Sequence, residues 1–272
     1  MKLKKIFLML TVFALFSPIL TAESDYDYLL NKYKTIIEKA EMERLVAERK
    51  KIISDEIVQS IFVKVPGKNY SIMATEVTQK LYKEVMGENP SYHKGDDLPV
   101  EQVSWYDAIY FCNMLSLLKN LEPVYSVNGE TYVTTWNYTP HQGNSIKGEI
   151  TQNTSAKGYR LPILEEWQYA AKGGENYRYA GSDDLDEVGW FCDNCDNRTH
   201  PVAKKKPNGY GLYDMSGNVW EWVWDSGYDN YRYYCGGSYG SYDDYCEVDF
   251  RYGYYADYRY DHIGFRLVCP SK

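Results

Sequence analysis

The chain has 272 residues, 44% hydrophobic and 25% charged, a balance that excludes a disordered or fibrous protein and fits a soluble globular one. Its net charge of −8 leaves no basic footprint, so nucleic acid is not an expected partner. The departure is tyrosine: 29 residues beside 8 Phe and 7 Trp, with 12 of them between Tyr228 and Tyr260.

Lys2, Lys4 and Lys5 precede the apolar run Ile6 to Phe16, and Ser17, Pro18 and Leu20-Thr21-Ala22 follow it. This pattern predicts a secretory signal peptide over residues 1–22, and the run is too short to span a bilayer. The mature chain is expected to be exported, to the cell surface, the periplasm or the medium, with no membrane-spanning segment. Residues 23–58 read as a charged helix, with Leu29, Tyr33, Ile36, Ile37 and Ala40 at helical spacing. Residues 59–272 read as one α+β domain with much irregular loop structure.

Within that domain, Ser104-Trp-Tyr-Asp107 has capping-box spacing and predicts a helix burying Trp105, Ala108, Ile109, Cys112 and Leu115. Thr131 to Tyr138 reads as a strand. A second helix is predicted after Leu161-Pro162, carrying Leu164, Trp167, Tyr169, Ala170 and Ala171 and ending at Gly173-Gly174. Further on, Trp220, Trp222 and Trp224 alternate with Glu221 and Val223 as a half-buried strand would. Asp214 and Glu221 flank the turn before that strand, and carboxylates with turn carbonyls are oxygen ligands that suit calcium.

Six cysteines in an exported chain permit three disulfides in fifteen connectivities, among which sequence does not choose. Cys192-Asp-Asn-Cys195 has no second pair beside it, so a loop disulfide or free thiols are expected ahead of zinc. His93, His141, His200 and His262 stand in unrelated loops with no nucleophile phrase around them.

Several phrases occur in one order: Glu76-Val-Thr78, Asn89-Pro-Ser91, Leu98-Pro-Val100, Val103-Ser-Trp-Tyr-Asp107, Phe111-Cys-Asn113, Tyr159-Arg-Leu-Pro162 and Glu166-Trp167. They continue with Pro207-Asn208, Gly211-Leu-Tyr-Asp-Met-Ser-Gly-Asn-Val-Trp-Glu-Trp222, Gly236-Gly-Ser238 and Gly264-Phe-Arg-Leu267. Together they resemble the formylglycine-generating enzyme, or sulfatase-modifying-factor, family, which implies its variant of the C-type lectin fold over about three quarters of the chain. The resemblance implies a calcium site on Asp214 and Glu221 by side chain and on Gly217 and Val219 by carbonyl.

It also implies a copper(I) pair of cysteines three and eight residues after the serine of the Gly-Gly-Ser phrase. Here those positions are Ser241 and Cys246, and a hydroxyl is a poor cuprous ligand. No copper is therefore expected, and the family's oxidase activity is expected to be lost. An active copper oxidase is the alternative reading.

Between Gly236 and His262 the framework phrases persist while the intervening positions are Tyr, Asp, Ser, Gly and His, with Lys, Trp, Met and Gln missing from Tyr239 to His262. This resembles the variable proteins of diversity-generating retroelements, treponemal ones included, in which adenine-directed copying rewrites an exposed ligand-binding surface. The resemblance implies a variable region at about 236–262. Its expected ligand-contacting residues are Tyr239, Ser241, Tyr242, Asp243, Tyr252, Tyr254, Tyr255, Tyr258, Tyr260, Asp261 and His262. Tyrosine supplies a large, amphipathic contact with few torsions to freeze, as in antibody paratopes, and the expected ligand is an extracellular protein. Arg251, Arg259 and Arg266 are expected to be framework residues paired with carboxylates.

Overall fold

The computed structural model describes residues 23–50, 61–143, 145–228 and 230–271. The expected signal peptide, residues 1–22, and the end of the predicted N-terminal helix lie outside them. Helix α1 spans Glu23–Arg49, with Tyr33 and Ile36 exposed along it. The chain divides into two compact units, with the boundary between Arg44 and Leu45. Among the described residues no helix is long and apolar enough to cross a membrane.

The second unit mixes short strands and helices with long irregular loops, as the α+β reading expects. Helix α2 (Gln79–Met86) starts where the Thr78 hydroxyl accepts the Leu81 N–H, and it stops at Gly87, whose φ of 85° only glycine adopts freely. Helix α3 (Trp105–Leu118) opens with the predicted capping box: Ser104 accepts the Asp107 N–H and Asp107 accepts the Ser104 N–H. Helix α4 (Leu164–Lys172) follows Pro162; the Glu166 carboxylate takes the Ile163 N–H at 3.0 Å while gripped by the Arg160 fork at 2.6 and 2.7 Å. A single turn, α5, covers Leu185–Val188.

Among the described residues nine strands form three sheets. Strands β1 (Phe62–Lys64), β2 (Tyr70–Met73) and β9 (Val268–Pro270) make an antiparallel sheet ordered β1-β2-β9. Strands β3 (Tyr125–Val127) and β4 (Ile150–Gln152) pair by themselves. The largest sheet, ordered β7-β6-β5-β8, contains β5 (Trp220–Tyr228), β6 (Tyr231–Cys235), β7 (Arg251–Tyr255) and β8 (Ile263–Gly264), with β5 and β8 parallel. Trp167, Ala170 and Ala171 of α4 and Val223 of β5 pack in one buried cluster with Met215, Val65, Ile72 and Val268. That buried layer holds the large sheet in place.

Two sequence expectations are corrected. Thr131 to Tyr138 is not a strand. It holds a 3-10 turn at Val133–Thr135, where Thr135 Oγ1 donates to Tyr132 O at 2.7 Å and Trp136 Nε1 to Glu130 O at 2.9 Å. Such local bonds satisfy the backbone without a ladder partner. Strand β5 is not half-buried either: Trp220, Glu221, Trp222 and Val223 are all buried, because this central strand is covered on both faces. On one face Trp167 Nε1 donates to Glu221 at 2.7 Å; on the other, Trp222 Nε1 donates to Val103 O at 2.9 Å.

Candidate binding surface

Under the large sheet lies a buried ionic hub. The Arg266 guanidinium, fully buried, donates to both Glu221 oxygens at 2.6 and 2.7 Å and to the carbonyls of Met73, Tyr213 and Asp214. Glu76 and Asp214 complete it. Burial, then the neighbouring Asp214, pushes the Glu76 carboxyl well above its usual range. Burial also raises Asp214 to about 6, against the Ala203 N–H and Arg266, which favour its ionised form.

Glu76 Oε2 and Asp214 Oδ1 have no hydrogen-bond partner. Three carboxylates around one guanidinium leave a formal surplus of two negative charges, which protons or a divalent cation can neutralise. Among the described residues no group of three or more His, Cys, Asp or Glu side chains stands ready to hold a metal alone. The expected ligand Glu221 is already engaged by Arg266 and Trp167, and the open oxygens belong to Asp214 and Glu76.

A second ion pair anchors the loop after β7. Asp107, buried at the start of α3, accepts from Arg259 Nε at 2.8 Å and Nη2 at 3.3 Å. Arg259 also donates to Tyr138 Oη, Gly143 O and Asp257 O. Backbone bonds from Trp105 N to Ala256 O and from Gln102 N to Tyr260 O clamp the same loop. Arg259 and Arg266 are thus paired with carboxylates as expected, whereas Arg251 lies over the Tyr233 ring instead. The loop that carries Tyr258 and Tyr260 is therefore held from below.

On this base stands a continuous series of rings. Tyr228 stacks on Tyr231 at 5.0 Å, Tyr231 meets Tyr254 and Tyr255 at 6.4 and 6.0 Å, and Tyr254 meets Tyr258 at 4.0 Å. Tyr258 stacks on Tyr260 at 4.8 Å, Tyr260 meets His262 at 4.8 Å, and His262 meets Tyr239 at 6.5 Å. His93 and Tyr92 extend the series from Tyr239, at 5.5 and 5.0 Å. The β6–β7 register sets one end: Tyr231 lies opposite Tyr255, and its ring leans over Gly253, where a Cβ would meet it at 2.6 Å. At the other end, buried Glu101 accepts the His93 N–H at 2.7 Å, and burial raises its carboxyl to about 7.

Tyr252, Tyr255 and Tyr260 are exposed, and Tyr254, Tyr258, Asp261 and His262 are half-buried between them. Tyr242 and Asp243 are exposed on a different turn, Asp243–Cys246, where Arg178 gathers Asp243, Asp244 and Glu247. Tyr239 and Ser241 depart from the expectation of an exposed contact: both are buried, at 6% and 7% exposure. Tyr239 N donates to Asn218 O, and Ser241 Oγ accepts the Ser238 N–H at 3.0 Å. Sequence reasoning missed Tyr92, His93, Tyr228 and Tyr231. The last two belong to the dense tyrosine stretch, but Tyr92 and His93 join the series only through folding. Of the other histidines, His141 bonds Tyr82 Oη and His200 stacks on Trp190.

No disulfide joins any of the six cysteines, all of which are among the described residues. Cys246 is buried below the Gly-Gly-Ser turn, with Ser241 at the position expected of its copper partner. Burial, then Cys192, raises the Cys246 thiol to about 12, so little thiolate is present at neutral pH.

Comparison with known proteins places this arrangement. Residues 58–270 match the sulfatase-modifying factor enzyme 1-like domain. The solved structure of Treponema denticola variable protein 1 superposes with a TM-score of 0.69 and 35% identity, covering 77% of this chain and 91% of that one. CarF superposes with a TM-score of 0.63 and 34% identity over 75% of this chain and 87% of its own. Chaperone protein LppX of Paenibacillus barcinonensis is 43% identical over 159 residues, 51% of this chain and 56% of LppX. The formylglycine-generating enzyme of Streptomyces coelicolor is 42% identical over 83 residues, covering 25% of this chain and 26% of the enzyme. The matches thus span about half of LppX and a quarter of the enzyme.

Proposed function

The chain belongs to the sulfatase-modifying-factor family, with the formylglycine-generating-enzyme type of C-type lectin fold, and on that premise we propose that it is an exported, non-catalytic ligand-binding protein. Its binding surface is the ring series from Tyr228 to Tyr92, and the rewriting of residues 236–262 by a diversity-generating retroelement is the source of its tyrosines from Tyr239 to Tyr260. One observation carries this reading: ten aromatic rings in contact, four of them exposed tyrosines (Tyr92, Tyr228, Tyr255 and Tyr260), on a base fixed by buried ion pairs. Exposed phenol rings already stacked on one another lose little freedom on binding and offer both apolar faces and hydroxyls to a protein partner. The likeness to a treponemal variable protein supports the same reading.

Its test is a triple substitution. Tyr228→Ala, Tyr255→Ala and Tyr260→Ala together should leave unfolding stability within about 1 kcal/mol, as for surface changes. Binding to a panel of immobilised extracellular proteins should fall at least tenfold. A triple variant that binds the same proteins as tightly as the parent would sink the reading. The retroelement part has its own check: the neighbouring DNA should hold a near-copy of the segment encoding Tyr239 to His262, with adenines wherever the two differ.

The oxidase alternative requires a thiolate pair, and the Ser241 hydroxyl is taken up in the Ser238 turn. Oxidation of a cysteine-containing peptide by the copper-treated protein would favour that alternative. We further propose that calcium neutralises the buried hub, held by the Asp214 side chain and the carbonyls of Gly217 and Val219, with Glu76 supplying the oxygen that Glu221 gives to Arg266. A chelator should then lower Tm by several degrees in the parent and leave Asp214→Ala unaffected; equal responses exclude the site.

A further inference from the structure

The turn below the Gly-Gly-Ser phrase brings together two cysteines that lie far apart in sequence. Cys192 N donates to Ser241 O at 3.1 Å, which binds the loop after α5 to the segment that leads into Cys246. The Cys192 side chain packs against an apolar cluster of Tyr179, Leu185, Val188, Phe191 and Cys246. The Cys246 sulfur sits below Gly237, where any Cβ would collide with it, and its nearest acceptor is Tyr242 O at 3.7 Å. Cys195, the partner that the CxxC spacing suggests, is occupied elsewhere: its sulfur donates to Tyr239 O at 3.0 Å and accepts the Asn197 N–H at 3.3 Å.

We propose that Cys192 and Cys246 are an oxidisable dithiol pair, and that its closure to a disulfide ties the loop after α5 to the turn presenting Tyr242 and Asp243. The step is thiol–disulfide exchange with an external small-molecule disulfide such as oxidised glutathione. The half-buried Cys192 thiolate attacks the external disulfide, forming a mixed disulfide and expelling one glutathione thiolate. Cys246 then attacks the Cys192 sulfur and expels the second. Two electrons pass to the external disulfide, and the two thiol protons leave on the two glutathione molecules.

The local chemistry sets the rate. Burial, then the hydrogen bond to the Asp193 carboxylate, raises the Cys192 thiol to about 11, and Cys246 stands at about 12. Thiolate is scarce in both at neutral pH, so closure is slow and accelerates about tenfold per pH unit below these values. The crosslink behaves as a structural staple rather than a fast switch. Its location suits that role: the Ser216 hydroxyl holds the Cys246 carbonyl at 2.8 Å, but the acidic side chains of the turn are held by exposed ion pairs to Arg178, which salt weakens.

The inference does not rest on the binding reading, since the bond is detected by mass whatever the ligand. The full chain is incubated with oxidised glutathione at pH 8.5, the remaining thiols are blocked, and the protein is digested without reduction. A peptide pair joining Cys192 to Cys246 is expected, with a rise in Tm of about 5 °C that reductant reverses. Cys192→Ser, a change at a half-buried site, abolishes both effects, while Cys195→Ser keeps them. A linked Cys192–Cys195 peptide, glutathione adducts without an internal crosslink, or loss of the Tm rise in Cys195→Ser would overturn the proposal.

Discussion

Replacing Arg259 by Met tests whether the tyrosine loop is held by one buried ion pair. Arg259 Nε and Nη2 bind the two oxygens of Asp107, a carboxylate with no exposed surface, while 19% of the arginine side chain remains exposed. Removing one member of a buried pair costs about 3–5 kcal/mol, because the remaining charge is left uncompensated. Asp107 keeps its donors Ser104 N, Ser104 Oγ, Tyr138 Oη and His141 N, so the lower end, about 3 kcal/mol, applies.

The pH dependence separates this cause from simple loss of packing. Burial alone raises the Asp107 carboxyl, and His141 and Arg259 outweigh it, leaving it below its ordinary value. In the parent, the ionised group therefore contributes stability above about pH 4, which is lost only as pH falls further. Without Arg259 burial is less opposed, the carboxyl rises, and the ionised form becomes a penalty at neutral pH. The deficit of Arg259→Met should be greatest near pH 7.5 and shrink towards pH 4.5, where Asp107 takes up a proton. Urea unfolding of both proteins at pH 7.5, 6.0 and 4.5 measures it. A deficit below about 1 kcal/mol, or one of equal size at all three pH values, would refute the assigned role.

Two further substitutions probe the ends of the surface. Glu101, raised to about 7 by burial, favours its protonated form in the fold, so its contribution is complete below about pH 4.5 and disappears as pH rises to 7. Glu101→Gln should remove up to about 3 kcal/mol of that decline, read as the parent-minus-variant difference in unfolding free energy across this window. Gly237 has φ of 75°, and a Cβ there would strike Cys246 Sγ and approach Cys246 Cα at 3.0 Å. Gly237→Ala should lower stability by at least about 2 kcal/mol in thermal or urea unfolding, whereas Gly240→Ala, with open space around it, should stay within about 0.5 kcal/mol.

What was legible in the sequence follows the range of the forces involved. The starts of α3 and the end of α4 were readable because a cap is made within four residues: Ser104 with Asp107, and Gly173 at its positive φ. Thr131 to Tyr138 misled because Thr and Tyr favour strands, yet among the described residues no strand pairs with them in a ladder, and side-chain bonds to the backbone close a turn instead. Burial of Glu221 could not be read either, since its partner Arg266 is 45 residues away. The site was half legible. Tyrosine density marked Tyr252, Tyr255 and Tyr260, but no local pattern could add Tyr92 and His93, which join the series at Tyr239 with Glu101 holding the His93 backbone.

The same geometry sets which positions of the tyrosine-rich stretch can be rewritten. Exposed side chains such as Tyr242, Tyr252, Tyr255 and Tyr260 can change at a cost of about 0.5 kcal/mol or less each. Tyr239 and Ser241 lie in the same stretch under a different constraint. The Tyr239 backbone bonds Asn218 and Cys195, its ring sits between His93 and His262, and the Ser241 hydroxyl closes the Ser238 turn. Changing them alters the floor on which the exposed rings stand. Arg259 and Arg266 complete the separation, since each neutralises a buried carboxylate and neither contributes to the ring series. A surface of this kind tolerates variation because its stability is located elsewhere: in two arginine–carboxylate pairs, the α4–β5 core and the clamps on residues 256 and 260. Diversity is expected to concentrate on the exposed tyrosines and aspartates and to fall off at Tyr239 and Ser241, a pattern that sequencing of variants from one population would reveal.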